Sequence, residues 1–456
     1  MAKRGTRGSK GRNRRRKNRK VSDIDRSVDI IAEENTARQH KDLVEDLSSA
    51  RDGAHDKDND KFYIDFFQTV RDTVNPYAMY NRLRDTSSVH RLNNDLWVIS
   101  RYDDVQFALK NYQLFSSAGC DNLLNPPWLS KDCKRSSFIA FEDPPVHTKH
   151  RSLISRTFAT RVINEHRPYI VAQAAELVRQ TTKATSIDFI AGFSAPYVAA
   201  VLNSFMGIED ISDIDRTRRW IEAMELSFTD DVSEKNAETI QRSINKQRAV
   251  FQQLIQDRRA NPKNDFVTEL LHNKVDGVEL SAEHEVTSII ELMYKSGYQS
   301  TVQTLAIAIK QLVQRPELLT ILTQSPERIA SFISEILRLY SPFPFVARKA
   351  KKSIQLQGKT IAAGSMVFLS LAAANRDPNH FVSPDELDLN RPQRGIPFGY
   401  GPHICIGDAL ARLMLNEAIS QLLPYIETMS CPDDSELNWV NRWSFRKLLA
   451  LPIATR

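Results

Sequence analysis

The sequence predicts a mainly α-helical fold with a small β region, and three stretches carry that expectation. An apolar helical pattern runs from Ser281 to Arg315, more than 30 residues, and its apolar positions circle the helix as they do when a helix crosses a core. A second begins at Ile406 and spaces Ala409, Leu410, Leu413, Met414, Ala418 and Ile419 as a helix does. Between them, residues 353–357, 360–361 and 365–370 alternate in polarity around turns at Gly358 and Gly364, which reads as a small sheet.

The remaining elements follow in order. Pro76 opens a helix through Leu83; residues 89–92 and 96–100 flank the turn at Asn93-Asn94-Asp95 and read as a hairpin; a helix spans about 103–111. An irregular stretch, 116–137, ends where Pro144-Pro145 leads into a helix that carries His147 and Arg151 at i and i+4, on one face. Helical patterns cover 161–207, 212–259 and 265–271, and Ser281 reads as the N-cap of the long helix. Pro316 and Pro326 start shorter helices, the second holding Glu335 and Arg338 one turn apart. Prolines then force extended backbone through Phe343-Pro344-Phe345-Val346-Ala347-Arg348. Residues 422–429 and 439–452 read as terminal strands and a hairpin.

With 456 residues, 41% apolar and 26% charged, the chain is long enough for a sizeable core. No run of about 20 apolar residues occurs, so no transmembrane anchor is expected. Cys120, Cys133, Cys405 and Cys431 are too scattered for a disulfide framework, which implies a reducing, cytoplasmic setting. Residues 1–20 hold eleven Lys or Arg and no acid, leaving 51 basic against 56 acidic residues elsewhere. The net charge of +6 therefore belongs to the tail. Such a tail reads as disordered and able to contact an anionic surface, yet it has no aromatic residue to stack on bases. A polar linker with some helical periodicity, 21–61, precedes an expected catalytic domain at 62–456.

Chemistry concentrates in Ile396–Arg412, IPFGYGPHICIGDALAR. Gly399, Gly401 and Gly407 leave Cys405 little side-chain cover, and its place at a helix N-terminus favours a thiolate, which is a nucleophile or a metal ligand. His403, two residues away, is badly placed as its base. Zinc needs several ligands, whereas haem iron needs one from the protein because the porphyrin supplies four.

The run Phe398-Gly399-x-Gly401-x-His403-x-Cys405-x-Gly407, then Leu410-Ala411-Arg412, resembles the haem-binding signature of the cytochrome P450 family. The likeness covers about residue 62 to the end and is densest from Ser281 to Arg412. It implies a cytochrome P450-like fold with the long central helix over haem b, and Cys405 as iron ligand in a loop that includes Phe398 and Gly399. It implies His147, Arg151, Arg348 and His403 as propionate partners, and a structural Glu335–Arg338 pair whose third partner is Arg376 or Arg391. The segment Ser296-Gly297-Tyr298-Gln299-Ser300-Thr301 falls where the family has Ala/Gly-Gly-x-acid-Thr-Thr. Gly297 then leaves room for dioxygen, and Ser300 or Thr301 holds water.

Gln299 departs from that pattern, because an amide cannot relay a proton by titrating, and losing such a group costs on the order of 10²–10⁴ in rate. The reading that follows is a monooxygenase that inserts one oxygen atom of O₂ into a small organic substrate of specialised metabolism. Electrons come ultimately from NAD(P)H through a ferredoxin- or flavodoxin-type donor. Gln299 leaves open oxidative coupling, dehydration or peroxide-driven chemistry, and the tail leaves open a binding protein for nucleic acid or anionic surfaces.

Overall fold

From Thr301 to Leu312 every residue of the helix Thr287–Gln314 is buried, which is why its apolar positions circle it completely. The computed structural model describes residues 76–455 except 93–94, 121–127, 132–138, 209–219, 221–232, 275–276, 278–279, 282–284 and 442–444. The tail, the linker, the expected domain start at Phe62 and most of the irregular stretch 116–137 lie outside the described residues.

By its own packing the chain divides into two units. The described part of the smaller is 128–131, 220 and 233–251, which includes most of the helix Glu234–Ala260. Within it the Ser130 N–H donates to Gln241 Oε1 at 2.8 Å, and Trp220 packs edge-on to Phe251. Every residue expected to form the site belongs to the larger unit.

That unit holds the other described helices and all the described strands. A five-stranded sheet has the order β1 (Val89–Arg91), β2 (Leu96–Ile99), β8 (Met366–Ser370), β5 (Phe345–Ala350), β3 (Phe115–Ser116). The hairpin β1–β2 is antiparallel, β2 and β8 run parallel with Leu96 opposite Met366, and β5 and β8 are antiparallel. Trp97, Ile99, Phe115, Val367 and Leu369 pack one buried cluster with Val105 and Leu109 of the helix Tyr102–Lys110. A small hairpin joins β6 (Ile354–Leu356) to β7 (Lys359–Ile361).

The sequence reading differs from the structure at three places. Residues 186–188, expected to be helical, form β4 (Ser186–Asp188), which pairs with β12 (Pro452–Thr455) at the far end of the chain. A partner that remote leaves no periodicity to read. Residues Leu423–Thr428 form a 3₁₀ turn because Pro424 cannot serve as a strand donor, and only β9 (Met429–Ser430) joins β12. The long helix becomes regular at Thr287, not directly after Ser281. The Ser281 carbonyl accepts from the N–H groups of Glu285 and Val286, while the Glu285 carboxylate takes the Ser281 N–H at 2.6 Å. The expected terminal hairpin is present as β10 (Trp439–Asn441) and β11 (Arg446–Leu448).

Two buried ion-pair networks stiffen the larger unit. In the first, Arg338 grips Glu335 with both arms, at 2.7 and 2.8 Å, and donates to the carbonyls of Asn375 and Glu386. Arg391 Nε and the Asp388 N–H complete Glu335 at 3.0 and 2.9 Å, so Arg391 is the third partner; Arg376 instead binds the Leu339 carbonyl and Asp385. Asn375 then accepts the Ile396 N–H at 2.6 Å, which ties this network to the first residue of the Cys405 loop.

In the second, Arg258 pairs with Asp265 and donates to the Gly207 carbonyl at 2.6 Å. Gly207 closes the helix Ala195–Met206 at φ +80°, and a Cβ there would stand 2.1 Å from Asp265 Oδ2. The substitution Gly207→Ala is expected to destabilise the fold by at least about 1–3 kcal/mol from overpacking alone. A urea midpoint unchanged from wild type would contradict this.

Candidate active site

The Cys405 loop is shaped by its glycines. Gly399 and Gly401 sit at φ +73° and +72°, and a Cβ on Gly401 would lie 2.7 Å from the Leu109 carbonyl oxygen, so the loop rests directly on the backbone of the helix Tyr102–Lys110. The Cys405 N–H donates to the Phe398 carbonyl at 2.9 Å, and the Gly399 N–H to that of Ile396 at 3.0 Å. Arg412 stacks over the Phe398 ring at 5.2 Å while bonding Asp408 and Ser334.

Cys405 retains exposed area, yet burial pushes its thiol above the ordinary range. The N–H groups of Gly407 and Asp408 at the start of the helix Asp408–Leu422 bond to the sulfur and pull the other way, as does Arg151, but they do not outweigh burial. Position in the sequence favours a thiolate; the surrounding protein reverses that in the absence of a metal, whose charge would displace the proton.

Around this loop the fold gathers four basic side chains from three distant stretches. His147 and Arg151 come from the helix Val146–Ser155, Arg348 from β5, and His403 from the loop itself. The rings of His147 and His403 lie 4.0 Å apart. His147 is 2% exposed, and among the described residues neither of its nitrogens has a hydrogen-bond partner; nor has Nε2 of His403. Arg348 is buried and, among the described residues, bonds only the Ala347 carbonyl, at 2.7 Å. Among the described residues no carboxylate pairs with Arg151 or Arg348. Asp143, the acid acting on both His147 and Arg348, is held by Ser116, the Ser117 N–H and Lys351.

The electrostatic consequence is two histidines held neutral beside a guanidinium that stays charged. Burial, then Arg151, lowers His147 to about 4; burial, then Arg348 and His147, lowers His403 to about 3; burial lowers Arg348 to about 10. Donors crowded together, desolvated and lacking an acid make a site for an anion. A ligand with two carboxylates beside one thiolate-seeking metal fits these groups, and haem is such a ligand.

The central helix brings the second set together. A Cβ on Gly297 would meet the Leu202 side chain of the helix Ala195–Met206 at 3.4 Å, an ordinary van der Waals contact. The Ser300 hydroxyl donates to the Ser296 carbonyl at 2.6 Å, which uses its only proton. Thr301 is buried one residue on, and among the described residues its hydroxyl makes no hydrogen bond within the protein. Gln299 is buried, and among the described residues its Nε2 has no hydrogen-bond partner and clamps no backbone carbonyl. Sequence reasoning missed Asn375 and Asp143, both loop residues with no periodicity or motif to mark them.

A family model for cytochrome P450 matches residues 67–330 and 327–453. The chain belongs to the cytochrome P450 family. The polyketide biosynthesis cytochrome P450 PksS of Bacillus subtilis is 32% identical over 398 residues, 83% of this chain and 96% of that protein. The 6-deoxyerythronolide B hydroxylase of Saccharopolyspora erythraea is 25% identical, over 87% of this chain and 98% of its own. Among solved structures, PksS aligns with a TM-score of 0.76 at 31% identity over 84% of this chain and 97% of that one. P450BioI, solved in complex with hexadec-9Z-enoic acid ligated acyl carrier protein, gives 0.74 at 28% identity over 84% and 99%. This P450 is therefore a haem-thiolate monooxygenase that acts on small organic molecules and takes electrons from a redox partner. No described helix is long and apolar enough to cross a membrane.

Proposed function

We propose that Cys405 ligates the haem iron of this P450 and that His147, Arg151, Arg348 and His403 hold the two propionates. The observation that carries this reading is the set of buried, unpaired donors around one cysteine loop. Bound haem supplies oxygen activation; the protein's own groups do the rest. The Gly407 and Asp408 N–H groups stabilise negative charge on the sulfur, and the glycine-rich loop keeps side chains from screening it. Neutral His147 and His403 donate hydrogen bonds, while Arg151 and Arg348 supply charge. Phe398 and Gly399 set the loop's path through their backbone. On the other side, the Thr301 hydroxyl is free to hold water, with Ser300 able to accept but not donate, and Gly297 leaves room for dioxygen.

Haem b, with electrons drawn from NAD(P)H through a ferredoxin- or flavodoxin-type donor, completes the reading, in a cytoplasmic protein whose catalytic domain is 62–456. The basic segment 1–20 is an accessory contact for an anionic surface. Turnover reconstituted with a ferredoxin system and, separately, a flavodoxin system identifies the donor.

The ion-pair part of the proposal is tested with Arg348→Leu. Loss of a charge-assisted bond of about 1.5–3 kcal/mol predicts haem dissociation faster by about ten- to hundredfold. Transfer of haem to apomyoglobin measures it, and a rate equal to wild type removes Arg348 from the propionate set.

A further inference from the structure

Asp143 is held by three donors, none of them part of the basic cluster around the Cys405 loop. Its Oδ2 accepts from the Ser116 hydroxyl at 2.5 Å and from Lys351 Nζ at 2.9 Å, and its Oδ1 accepts from the Ser117 N–H at 2.9 Å. Burial would raise its pKa, but the bonds from Ser116, Lys351 and the Ser117 N–H outweigh it and leave the pKa lowered. Asp143 therefore carries its charge at neutral pH. The donors come from one strand pair: Ser116 ends β3 with Ser117 next, Lys351 follows the last residue of β5, and Ser116 lies opposite Lys349 in the sheet. From the other direction, the Asp143 carbonyl accepts the His147 N–H at 3.1 Å and so joins the first turn of the helix Val146–Ser155. Ser117 and Asp143 stand 26 residues apart, and Lys351 lies 208 beyond Asp143, so chain connectivity alone does not fix this helix against the sheet. The carboxylate supplies a direct tie: Arg348 stands in β5 three residues before Lys351, and His147 follows Asp143 by four.

We propose that Asp143 is a positioning residue for the haem propionates: it registers the helix that carries His147 and Arg151 against the strand that carries Arg348, so that donors from distant stretches converge on one anion. A carboxylate bonded to the cluster itself would neutralise it and compete with the ligand. One whose oxygens are taken up by Ser116, Ser117 and Lys351 leaves the cluster's N–H groups available. Burial lowers both His147 and Arg348, and the Asp143 charge opposes it at each, while among the described residues neither side chain bonds to Asp143. The inference rests on the reading of these groups as propionate donors, and the two are tested apart by a haem whose carboxylates are capped.

Wild type and Asp143→Asn are loaded with protohaem or, separately, with its dimethyl ester, and release to apomyoglobin is followed. Wild type is expected to release the ester about tenfold or more faster than protohaem, the worth of at least one charge-assisted hydrogen bond. In Asp143→Asn the release of protohaem quickens by about tenfold, while that of the ester stays within about twofold of wild type, since the capped groups make little use of the donors. A purely structural loss would quicken both alike. Ser116→Ala, which removes one bond and no charge, takes the place of Asp143→Asn if that variant fails to load haem. Three outcomes overturn the proposal. Equal release of the two haems from wild type removes the propionate reading and Asp143 with it. A wild type that retains protohaem longer, beside an Asp143→Asn variant that releases it at the wild-type rate, removes Asp143 alone. Acceleration of both haems by one factor makes Asp143 a general structural contact.

Discussion

Cys405→Ser is expected to abolish the thiolate-type Soret band of the reduced, carbon-monoxide-bound protein, and turnover with it, to background. The substitution removes one sulfur and little else. The loop's backbone bonds, Cys405 N–H to Phe398 and Gly399 N–H to Ile396, do not involve that sulfur, and the glycines at φ +73° and +72° keep their conformations. The variant should therefore fold and keep its propionate donors. On the proposed ligation it loses an anionic ligand whose charge the Gly407 and Asp408 N–H groups stabilise and which would push electron density onto iron. A serine hydroxyl does not ionise under the same inducements. Cys431→Ser serves as the control, since Cys431 lies in a separate stretch among Lys310, Asp433 and Asp434. Persistence of the band in haem-loaded Cys405→Ser would remove Cys405 as the iron ligand.

Glu335→Ala is expected to cost about 3–5 kcal/mol, because it strands two buried guanidinium groups that share one carboxylate. Arg338 and Arg391 both donate to Glu335, and Arg338 also bonds the carbonyls of Asn375 and Glu386. Released from Glu335, this hub no longer fixes Asn375, and through it Ile396, so haem retention should fall together with stability. The same carboxylate makes the fold acid-sensitive. Burial alone would raise the Glu335 pKa, but the bonds from Arg338, the Asp388 N–H and Arg391 outweigh it and leave it lowered. A carboxyl whose pKa is lower folded than unfolded adds stability above the ordinary carboxylate range and loses it as pH falls through the folded value. Urea titrations at descending pH should show wild type losing stability at its acid end more steeply than Glu335→Ala. A variant within about 1 kcal/mol of wild type at neutral pH would contradict the assignment.

The shape of the Cys405 loop was legible because it is carried by neighbours: glycine, histidine, cysteine and glycine within one turn and a helix start. His147 and Arg151 were legible for a related reason, since i and i+4 on a helix share a face whatever the helix packs against. The long helix was legible from the period of its apolar residues. Each of these readings uses an interaction that closes within a few residues, and local hydrogen bonding and side-chain direction are written in sequence spacing.

Contacts between distant stretches are not written that way. Nothing in the spacing of residues chooses Arg391 over Arg376 as the partner of Glu335, pairs Ser186–Asp188 with Pro452–Thr455, or sets the His147 ring 4.0 Å from that of His403. Nor does it show that the Cys405 thiol is raised, since a helix start alone argues for the opposite and only the surrounding protein supplies the burial that wins. Gln299 marks the boundary most sharply. Its departure from the family pattern is visible in the sequence, while the lack of a partner for its Nε2 among the described residues comes from packing, which decides which polar groups are shut away from water and which acceptors accompany them.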